Sequence, residues 1–205
     1  MGSVITFAQQ KGGAGKTTLL ACIAHQLHLD GARVALADLD PQGSLTHWHG
    51  MGRMPGLTLI DTASYRVGGD LRDARAKFDF VLVDCPGSAT SLLEAALRES
   101  DLVLVPCQTS QVDVWATAAI LHMCDSENAT AHVVLNRVAP RGKATDTTRT
   151  ALEMAGAQVM ATQIGNRVAF AHGMAAGTTV LGLTGQVAAK QEIAALTREM
   201  RAVLA

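Results

Sequence analysis

The stretch KGGAGKTT at residues 11–18 decides the fold, because it stands between an apolar run, Val4–Phe7, and a helical pattern that begins at Thr17. Glycines let a backbone curl so that successive N–H groups face one anion, and the following helix N-terminus adds partial positive charge. In such a loop Lys16 reaches the β- and γ-phosphates of a nucleotide, and the Thr17 hydroxyl can bind Mg²⁺. The predicted phosphate-binding residues are Lys11, Gly12, Gly13, Ala14, Gly15, Lys16, Thr17 and Thr18.

Short apolar runs alternate with helical patterns along the rest of the chain. The runs are continuously apolar, so both faces of the strands are expected to be covered. This order predicts an α/β fold of the P-loop NTPase type, a mainly parallel twisted sheet with helices on both faces, in one domain spanning residues 1–205. The predicted strands are Val4–Phe7, Val34–Ala37, Leu57–Ile60, Phe80–Val83, Leu102–Val105 and Val133–Leu135, and the predicted helices are Thr17–Leu29, Val67–Lys77, Ser88–Glu99, Val112–Cys124, Thr145–Met154 and Gly185–Ala205.

Composition narrows the functional classes. The chain is 48% hydrophobic and 17% charged, which indicates a globular protein. No apolar run reaches the roughly 18 residues that a membrane span needs, and the first strand pattern leaves no room for a signal peptide, so a cytosolic protein is expected. The four cysteines form no C-x-x-C pair and are expected to be buried free thiols. With a net charge of −1, any DNA binding would need a local basic patch.

Three carboxylates follow predicted strands. Asp38 and Asp40 end the second strand, and Asp84 ends the fourth. The carboxyl ends of strands beside a phosphate loop are where Mg²⁺ and an attacking water belong. A period of two would place Asp38 and Asp40 on the same side of the chain. Ordinary acidic turns remain the alternative for all three residues.

The phosphate loop departs from the pattern G-x-x-x-x-G-K-[ST], because Gln10 stands where the first glycine belongs and Lys11 follows it. The resulting K-G-G-x-G-K-T-T resembles the deviant Walker A box of the ParA/MinD ATPases. The resemblance implies that Lys11 reaches across a homodimer to the nucleotide held by the other subunit, so that two subunits enclose two ATP molecules. Without it, Lys11 would be a surface lysine.

Both switch regions of that family have counterparts. D-x-D-P-Q-G-S at residues 38–44 resembles switch I, which implies that Asp40 positions or activates the water and that Asp38 acts through the magnesium shell. The apolar run ending in Asp84 resembles a Walker B strand, which implies that Asp84 holds Mg²⁺ through water. Residues 85–88 would then form switch II, with Cys85 where relatives often have threonine.

The second half of the chain offers weaker signals. The resemblance implies that Asn136 approaches adenine and that Pro106 provides an apolar wall, whereas a turn residue is the alternative for Asn136. Arg167, in the stretch TQIGNR, is the leading candidate for DNA contact. An extended basic surface would bind phosphates without reading sequence, and ordinary solvated charges are the alternative; its other members would be Arg137, Arg141, Lys143 and Arg149.

The resemblance covers the whole chain and is closest to short-form ParA partition ATPases. It implies a weak ATPase in the nucleoid that dimerises with ATP, binds nonspecific DNA, and is stimulated by a ParB-type partner with a basic N-terminal tail on a plasmid, chemoreceptor cluster or carboxysome. A MinD-like membrane ATPase is the first alternative, although the last helix lacks a dense basic face. The others are an amide-forming enzyme such as dethiobiotin synthetase, an iron–sulfur ATPase, and a nucleotide-gated module that hardly hydrolyses ATP.

Overall fold

The computed structural model describes residues 1–88 and 91–205, and it contains a seven-stranded sheet in the order β3-β2-β4-β1-β5-β6-β7. Each neighbouring pair of strands is parallel. The strands are β1 Ser3–Phe7, β2 Val34–Asp38, β3 Leu57–Ile60, β4 Phe80–Asp84, β5 Leu102–Cys107, β6 Ala131–Leu135 and β7 Gln158–Val159. The helices are α1 Lys16–Leu29, α2 Ser44–Gly50, α3 Val67–Arg75, α4 Ser91–Glu99, α5 Gln111–Ser126, α6 Ala144–Met154, α7 Val168–Ala175 and α8 Val187–Val203, with a 3₁₀ turn at Val180–Gly182.

Each face of the sheet has its own apolar core. Successive side chains of β1 alternate between them: Val4 belongs to the core that includes residues of α3, α4, α5 and α6, whereas Ile5 and Phe7 belong to the core that includes residues of α1, α2, α7 and α8. All three are fully buried. This arrangement explains why the strand sequences are continuously apolar, and it confirms the predicted fold class.

The order of the strands determines where a ligand can bind. The chain leaves β1 for β2 on one side of the sheet, and later places β5 on the other side of β1. In open parallel sheets, ligands bind beyond the carboxyl ends of the strands at such a switch point. The loop of residues 8–15 leaves β1 at this point, and β2, β4, β5 and β6 end around it.

The sequence-based prediction missed three elements. The short helices α2 and α7 and the two-residue β7 were not predicted, because their apolar patterns are too short to show a period. The predicted helix Ser88–Glu99 corresponds to α4, which is described from Ser91 onward; residues 89–90 lie outside the described residues. Within residues 1–88 and 91–205, no helix combines the length and apolar character that crossing a membrane requires.

Candidate nucleotide-binding site

The phosphate loop occupies the turn between β1 and α1. Gly13 and Gly15 have φ angles of 76° and 96°, in the left-handed region where glycine carries no Cβ penalty. A side chain at Gly15 would also collide with Asn136, since a Cβ atom there would lie 2.5 Å from Asn136 Nδ2. The loop therefore needs glycine at position 15 for both its conformation and its close approach to the end of β6.

Three amide side chains hold this loop against the neighbouring strands. Gln9 is fully buried and donates from Nε2 to the Pro106 carbonyl at 3.1 Å. Gln108 donates to the Gly13 carbonyl at 3.0 Å, and Asn136 donates to the Ala14 carbonyl at 2.8 Å. Fixing the Gly13 and Ala14 carbonyls in this way helps to orient the N–H groups that an anion would meet.

Two cavities meet at the loop. The larger, here called the phosphate groove, has a volume of about 620 Å³; it is lined by loop residues 12–13 and 15–18 and by residues 40–42 and 86–88 of the two switch regions. The smaller, here called the side pocket, has a volume of about 300 Å³ and lies beside Leu19, Asn136, Ile164 and Phe170. Gly15, Thr18 and Arg137 line both cavities. Together they offer a polar compartment connected to a more apolar one, which suits a nucleotide's phosphates and base.

Asp84 ends β4 beneath the loop and is 1% exposed. Its Oδ2 accepts a hydrogen bond from the Thr17 hydroxyl at 2.5 Å, and its buried Oδ1 has no hydrogen-bond partner among the described residues. Burial raises the pKa of the Asp84 carboxyl to about 7, although Thr17 and Lys16 act against the rise. A buried carboxylate oxygen without a donor, next to a hydroxyl, is an oxygen set that suits Mg²⁺.

The carboxylates of switch I, residues 38–44, are held differently from each other. Both oxygens of Asp38 accept backbone N–H groups, Oδ2 from Thr46 at 2.8 Å and Oδ1 from Asp40 at 3.2 Å. Asp38 thus caps the first turn of α2 and lines neither cavity. Asp40 lines the phosphate groove, where its Oδ1 accepts from Gln42 N at 3.0 Å. Strand β2 ends at Asp38, so the two side chains are not related by a strand period as the sequence predicted.

Lys11 does not line the phosphate groove of its own subunit. Its Nζ instead donates to Asp113 Oδ2 on α5 at 2.7 Å, and the carboxylate of Asp113 is 1% exposed. The Ser110 hydroxyl donates to the same oxygen, whereas Asp113 Oδ1 is buried without a partner among the described residues. Asp113 was not predicted, since 102 positions separate it from Lys11.

Helix α2, which follows switch I, is anchored to the C-terminal half. Trp48 of α2 is 3% exposed, and its Nε1 donates to the Thr178 carbonyl at 2.8 Å. Gly177 packs so closely against Met51 that an added Cβ would lie 2.9 Å from its side chain. At the end of α7, Met174 lines the phosphate groove. Trp48 is therefore a core residue, whereas Trp115, for which the sequence offered the same choice of core or interface, is 64% exposed on α5.

The other residues predicted for the base and DNA take varied positions. Asn136 lines the side pocket, with its Oδ1 accepting from Arg137 N at 2.9 Å. Pro106 was expected after the fifth strand as a pocket wall, but it lies within β5, is buried, and lines neither cavity. Arg141 and Lys143 are exposed before α6 and make no ion pair with any described residue.

Arg167 and Arg149 are engaged inside the chain. Arg167 lines the side pocket, and its guanidinium forms a forked ion pair with both carboxylate oxygens of Glu192. Arg149 donates to the Met160 carbonyl at 2.8 Å. Of the predicted basic surface, Arg167 is exposed but paired with Glu192, and Arg149 is partly buried against the Met160 carbonyl. Arg137, Arg141 and Lys143 are exposed and form no ion pair with any described residue.

Residues 5–180 match the CobQ/CobB/MinD/ParA nucleotide-binding domain. The chain belongs to this family. It is 34% identical over 201 residues, 91% of both chains, to "Maintenance of carboxysome distribution protein A" from Halothiobacillus neapolitanus. Among solved structures, the ATP complex of a McdA variant from Cyanothece has a TM-score of 0.84 at 17% identity over 98% of this chain and 96% of that one. The Mg-ADP complex of the septum site-determining protein MinD from Pyrococcus horikoshii has a TM-score of 0.79 at 15% identity over 100% and 99% of the two chains.

Family membership confirms the recognition made from KGGAGKTT and the switch regions. The likeness to the solved structures extends over the full sheet and confirms the P-loop NTPase fold. The family includes both MinD and ParA proteins, so the choice between a ParA-like and a MinD-like function depends on the site itself.

Proposed function

We propose that this protein is an ATPase that dimerises with MgATP, binds nonspecific DNA in the cytoplasm and positions a cargo whose bound partner stimulates hydrolysis. The main support for this proposal is that the two lysines of the loop take different positions. Lys16 lines the phosphate groove, whereas Lys11 lies outside it and contacts α5. A lysine that lies outside its own subunit's phosphate groove could reach the nucleotide of another subunit once it leaves Asp113.

ATP binding follows from the chemistry of the two cavities. The triphosphate would lie in the phosphate groove against the N–H groups of residues 12–17 and the ammonium group of Lys16, and the base would lie in the side pocket. Asn136 retains one amide hydrogen and one lone pair for adenine after its bonds to Ala14 and Arg137. A bound Mg²⁺, with the Thr17 hydroxyl and Asp84 as its protein groups, would neutralise the charge that develops on the phosphates.

Asp40 is the residue proposed to act on the attacking water during hydrolysis. Its carboxylate lines the groove opposite the loop, where it can accept a proton from water or orient that water for attack. Asp38 supports this group indirectly, since it accepts the Asp40 N–H and caps α2. The resemblance placed Asp38 in the magnesium shell; its two backbone hydrogen bonds favour a positioning role in this conformation.

Dimerisation is expected to move Lys11. In the single subunit its charge is neutralised by buried Asp113, and a partner's triphosphate offers a stronger anion. Exchange of the Asp113 contact for that phosphate would make dimer formation dependent on ATP. A cargo-bound partner that reverses the exchange would return the subunits to the monomeric state.

The DNA and cargo parts of the proposal rest on the curated relative and on local charge. The Halothiobacillus neapolitanus relative, 91% of whose length aligns with this chain, is named for maintenance of carboxysome distribution. We therefore propose a positioning role for this chain. Arg141 and Lys143 offer exposed positive charge for phosphate contacts. The partner is expected to be a small ParB-type protein with a basic N-terminal tail, and no membrane surface is required.

Substitution of Lys16 by alanine tests the site. Loss of the cation facing the β- and γ-phosphates should weaken ATP binding by about tenfold or more, since charged hydrogen bonds contribute about 1.5–3 kcal/mol. Isothermal titration calorimetry with ATP and Mg²⁺ measures the change. The Lys190→Ala variant removes a partly buried lysine of α8 that lines neither cavity; it is a control and should bind as the wild type does. Unchanged affinity in Lys16→Ala would remove the phosphate groove from the proposal.

A further inference from the structure

Arg137 differs from every other arginine that was considered for DNA binding. It follows β6 directly, is exposed, and lines both the phosphate groove and the side pocket. Arg141 and Lys143 line neither of these cavities, and Arg167 lines only the side pocket and is paired with Glu192. Among the described residues, Arg137 forms no ion pair.

The backbone at Arg137 is strained. Its φ angle of 53° lies in the left-handed region, which a side chain other than glycine, asparagine or aspartate rarely adopts. The conformation is supported by the Asn136 side chain, whose Oδ1 accepts the Arg137 N–H at 2.9 Å while its Nδ2 donates to the phosphate-loop carbonyl of Ala14. Strain that neighbouring contacts maintain at the edge of a binding site commonly has a functional reason.

The junction of the two cavities corresponds to one part of a nucleotide. Gly15, Thr18 and Arg137 are the residues common to both linings. A nucleotide with its terminal phosphates in the groove and its base in the side pocket must pass its α-phosphate and ribose across this junction. An unpaired guanidinium at that point meets non-bridging phosphate oxygens, which it can bind through two parallel hydrogen bonds.

We propose that Arg137 is a nucleotide-binding residue whose guanidinium contacts the α-phosphate, and that it is not part of a DNA surface. The inference rests on the nucleotide placement proposed above. Because ATP, ADP and AMP each have an α-phosphate, Arg137 contributes to the binding of all three. It sets overall nucleotide affinity, whereas Lys16 distinguishes nucleotides by their β- and γ-phosphates.

The test compares nucleotides that differ in their phosphates. Calorimetry with ADP, AMP and adenosine is performed on the wild type, Arg137→Gln, Arg137→Lys and Arg137→Asn. The asparagine variant is included because asparagine tolerates a positive φ and should therefore preserve the fold. The affinities of the neutral variants for ADP and AMP should fall by about tenfold or more. Adenosine affinity should not change, and lysine should restore part of the loss. Arg198→Gln, an exposed change on α8 away from both cavities, serves as control.

Two results would overturn the inference. ADP and AMP affinities equal to those of the wild type would remove Arg137 from the site, as would an equal loss for adenosine, which has no phosphate. The Lys16→Ala variant measured alongside separates this failure from failure of the proposed function: if Lys16→Ala loses ATP and Arg137→Gln does not, only the role of Arg137 is wrong. Loss of DNA affinity at saturating ATP, with unchanged ADP affinity, would return Arg137 to a DNA surface.

Discussion

At the scale of single residues, the contact between Lys11 and Asp113 links the phosphate loop to α5. The Asp113 carboxylate is buried and one of its oxygens has no partner among the described residues, so the ion pair with Lys11 provides much of its compensation. A carboxylate in this state attracts a lysine strongly. The same attraction opposes transfer of Lys11 to a partner's nucleotide, which makes Asp113 a candidate brake on dimerisation.

Replacement of Asp113 by asparagine should release Lys11 while preserving most of the local packing. We expect half-maximal dimerisation at an ATP concentration about threefold to tenfold lower than in the wild type, a range set by the free energy of a partly exposed charged hydrogen bond. Analytical ultracentrifugation over a titration of ATP with Mg²⁺ measures the midpoint. Asp125→Asn, an exposed change on the same helix, should leave it in place, and a midpoint raised or unmoved in Asp113→Asn would contradict the brake.

Local sequence was sufficient for part of the residue-scale site. The phosphate loop and Asp84 could be predicted because each belongs to a short motif of consecutive residues at the end of a strand. The contact between Lys11 and Asp113 joins residues 102 positions apart, and the hydrogen bond between Trp48 and Thr178 joins residues 130 positions apart. No pattern within either segment indicates its partner. The capping role of Asp38 was missed because α2 itself was too short to predict.

At the scale of elements, α1 joins the phosphate loop to the C-terminal segment through a buried histidine. His25 is 8% exposed, and its Nδ1 lies 2.7 Å from the Thr179 hydroxyl oxygen before the 3₁₀ turn. Burial lowers the pKa of His25 below its usual 6.5, and the positive charges of His28 and Lys190 lower it further. The folded protein therefore keeps His25 neutral at a pH where the unfolded chain protonates it.

This difference predicts a contribution to acid sensitivity. As the pH falls below 6.5, the unfolded chain gains a proton first, so His25 should lower the free energy of unfolding by up to about 1.4 kcal/mol per pH unit until its folded pKa is reached. Asp84, with its pKa raised to about 7, acts in the opposite direction between about pH 7 and pH 4. The free energy of unfolding in urea is therefore measured between pH 7.5 and pH 5.5 for the wild type and for His25→Asn. Asp84 is present in both proteins, so its contribution drops out of the difference between them.

The His25→Asn variant should show a flatter decline of stability with acid than the wild type, whatever its absolute stability. His122→Asn, an exposed change on α5, should keep the wild-type pH dependence. Parallel curves for the wild type and His25→Asn would show that His25 titrates equally in both states and would contradict its neutral burial.

At the scale of the whole molecule, net charge and local charge lead to different expectations. The chain carries a net charge of −1, so binding of DNA phosphates requires a concentrated patch. The structure leaves Arg141 and Lys143 exposed before α6 and pairs Arg167 with Glu192. The leading DNA candidate thus shifts from Arg167, favoured by its motif, to the loop before α6, favoured by its free charges.

Reversal of both charges in Arg141→Glu/Lys143→Glu should weaken DNA binding by at least about tenfold at low salt. The slope of log affinity against log salt should become shallower by about two, because each lost phosphate contact contributes about 0.9. Fluorescence anisotropy with ATP-bound protein and a random duplex measures both quantities. Arg33→Glu/Lys77→Glu makes the same charge change near the amino ends of β2 and β4, and a similar loss in both double variants would indicate a net-charge effect only.

The global fold was the most predictable feature of the molecule. Continuous apolar strands alternating with helices admit few arrangements besides a parallel sheet covered on both faces, and the seven-stranded sheet has this form. The position of β1 at the switch point follows from topology rather than from any residue. That position brings the ends of five strands together, which is why residues scattered along the chain converge on one loop.

The proposed dimer requires that the loop's two lysines serve different subunits. Light scattering coupled to gel filtration, with Mg²⁺ and a non-hydrolysable ATP analogue, tests it on the wild type and on Lys11→Ala. The wild type should change from 21.4 kDa to about twice that mass, while Lys11→Ala should bind the analogue through Lys16 and keep the mass of a monomer. A wild type that stays monomeric with the analogue bound, or a Lys11→Ala variant that dimerises as readily as the wild type, would contradict the proposed roles of the two lysines.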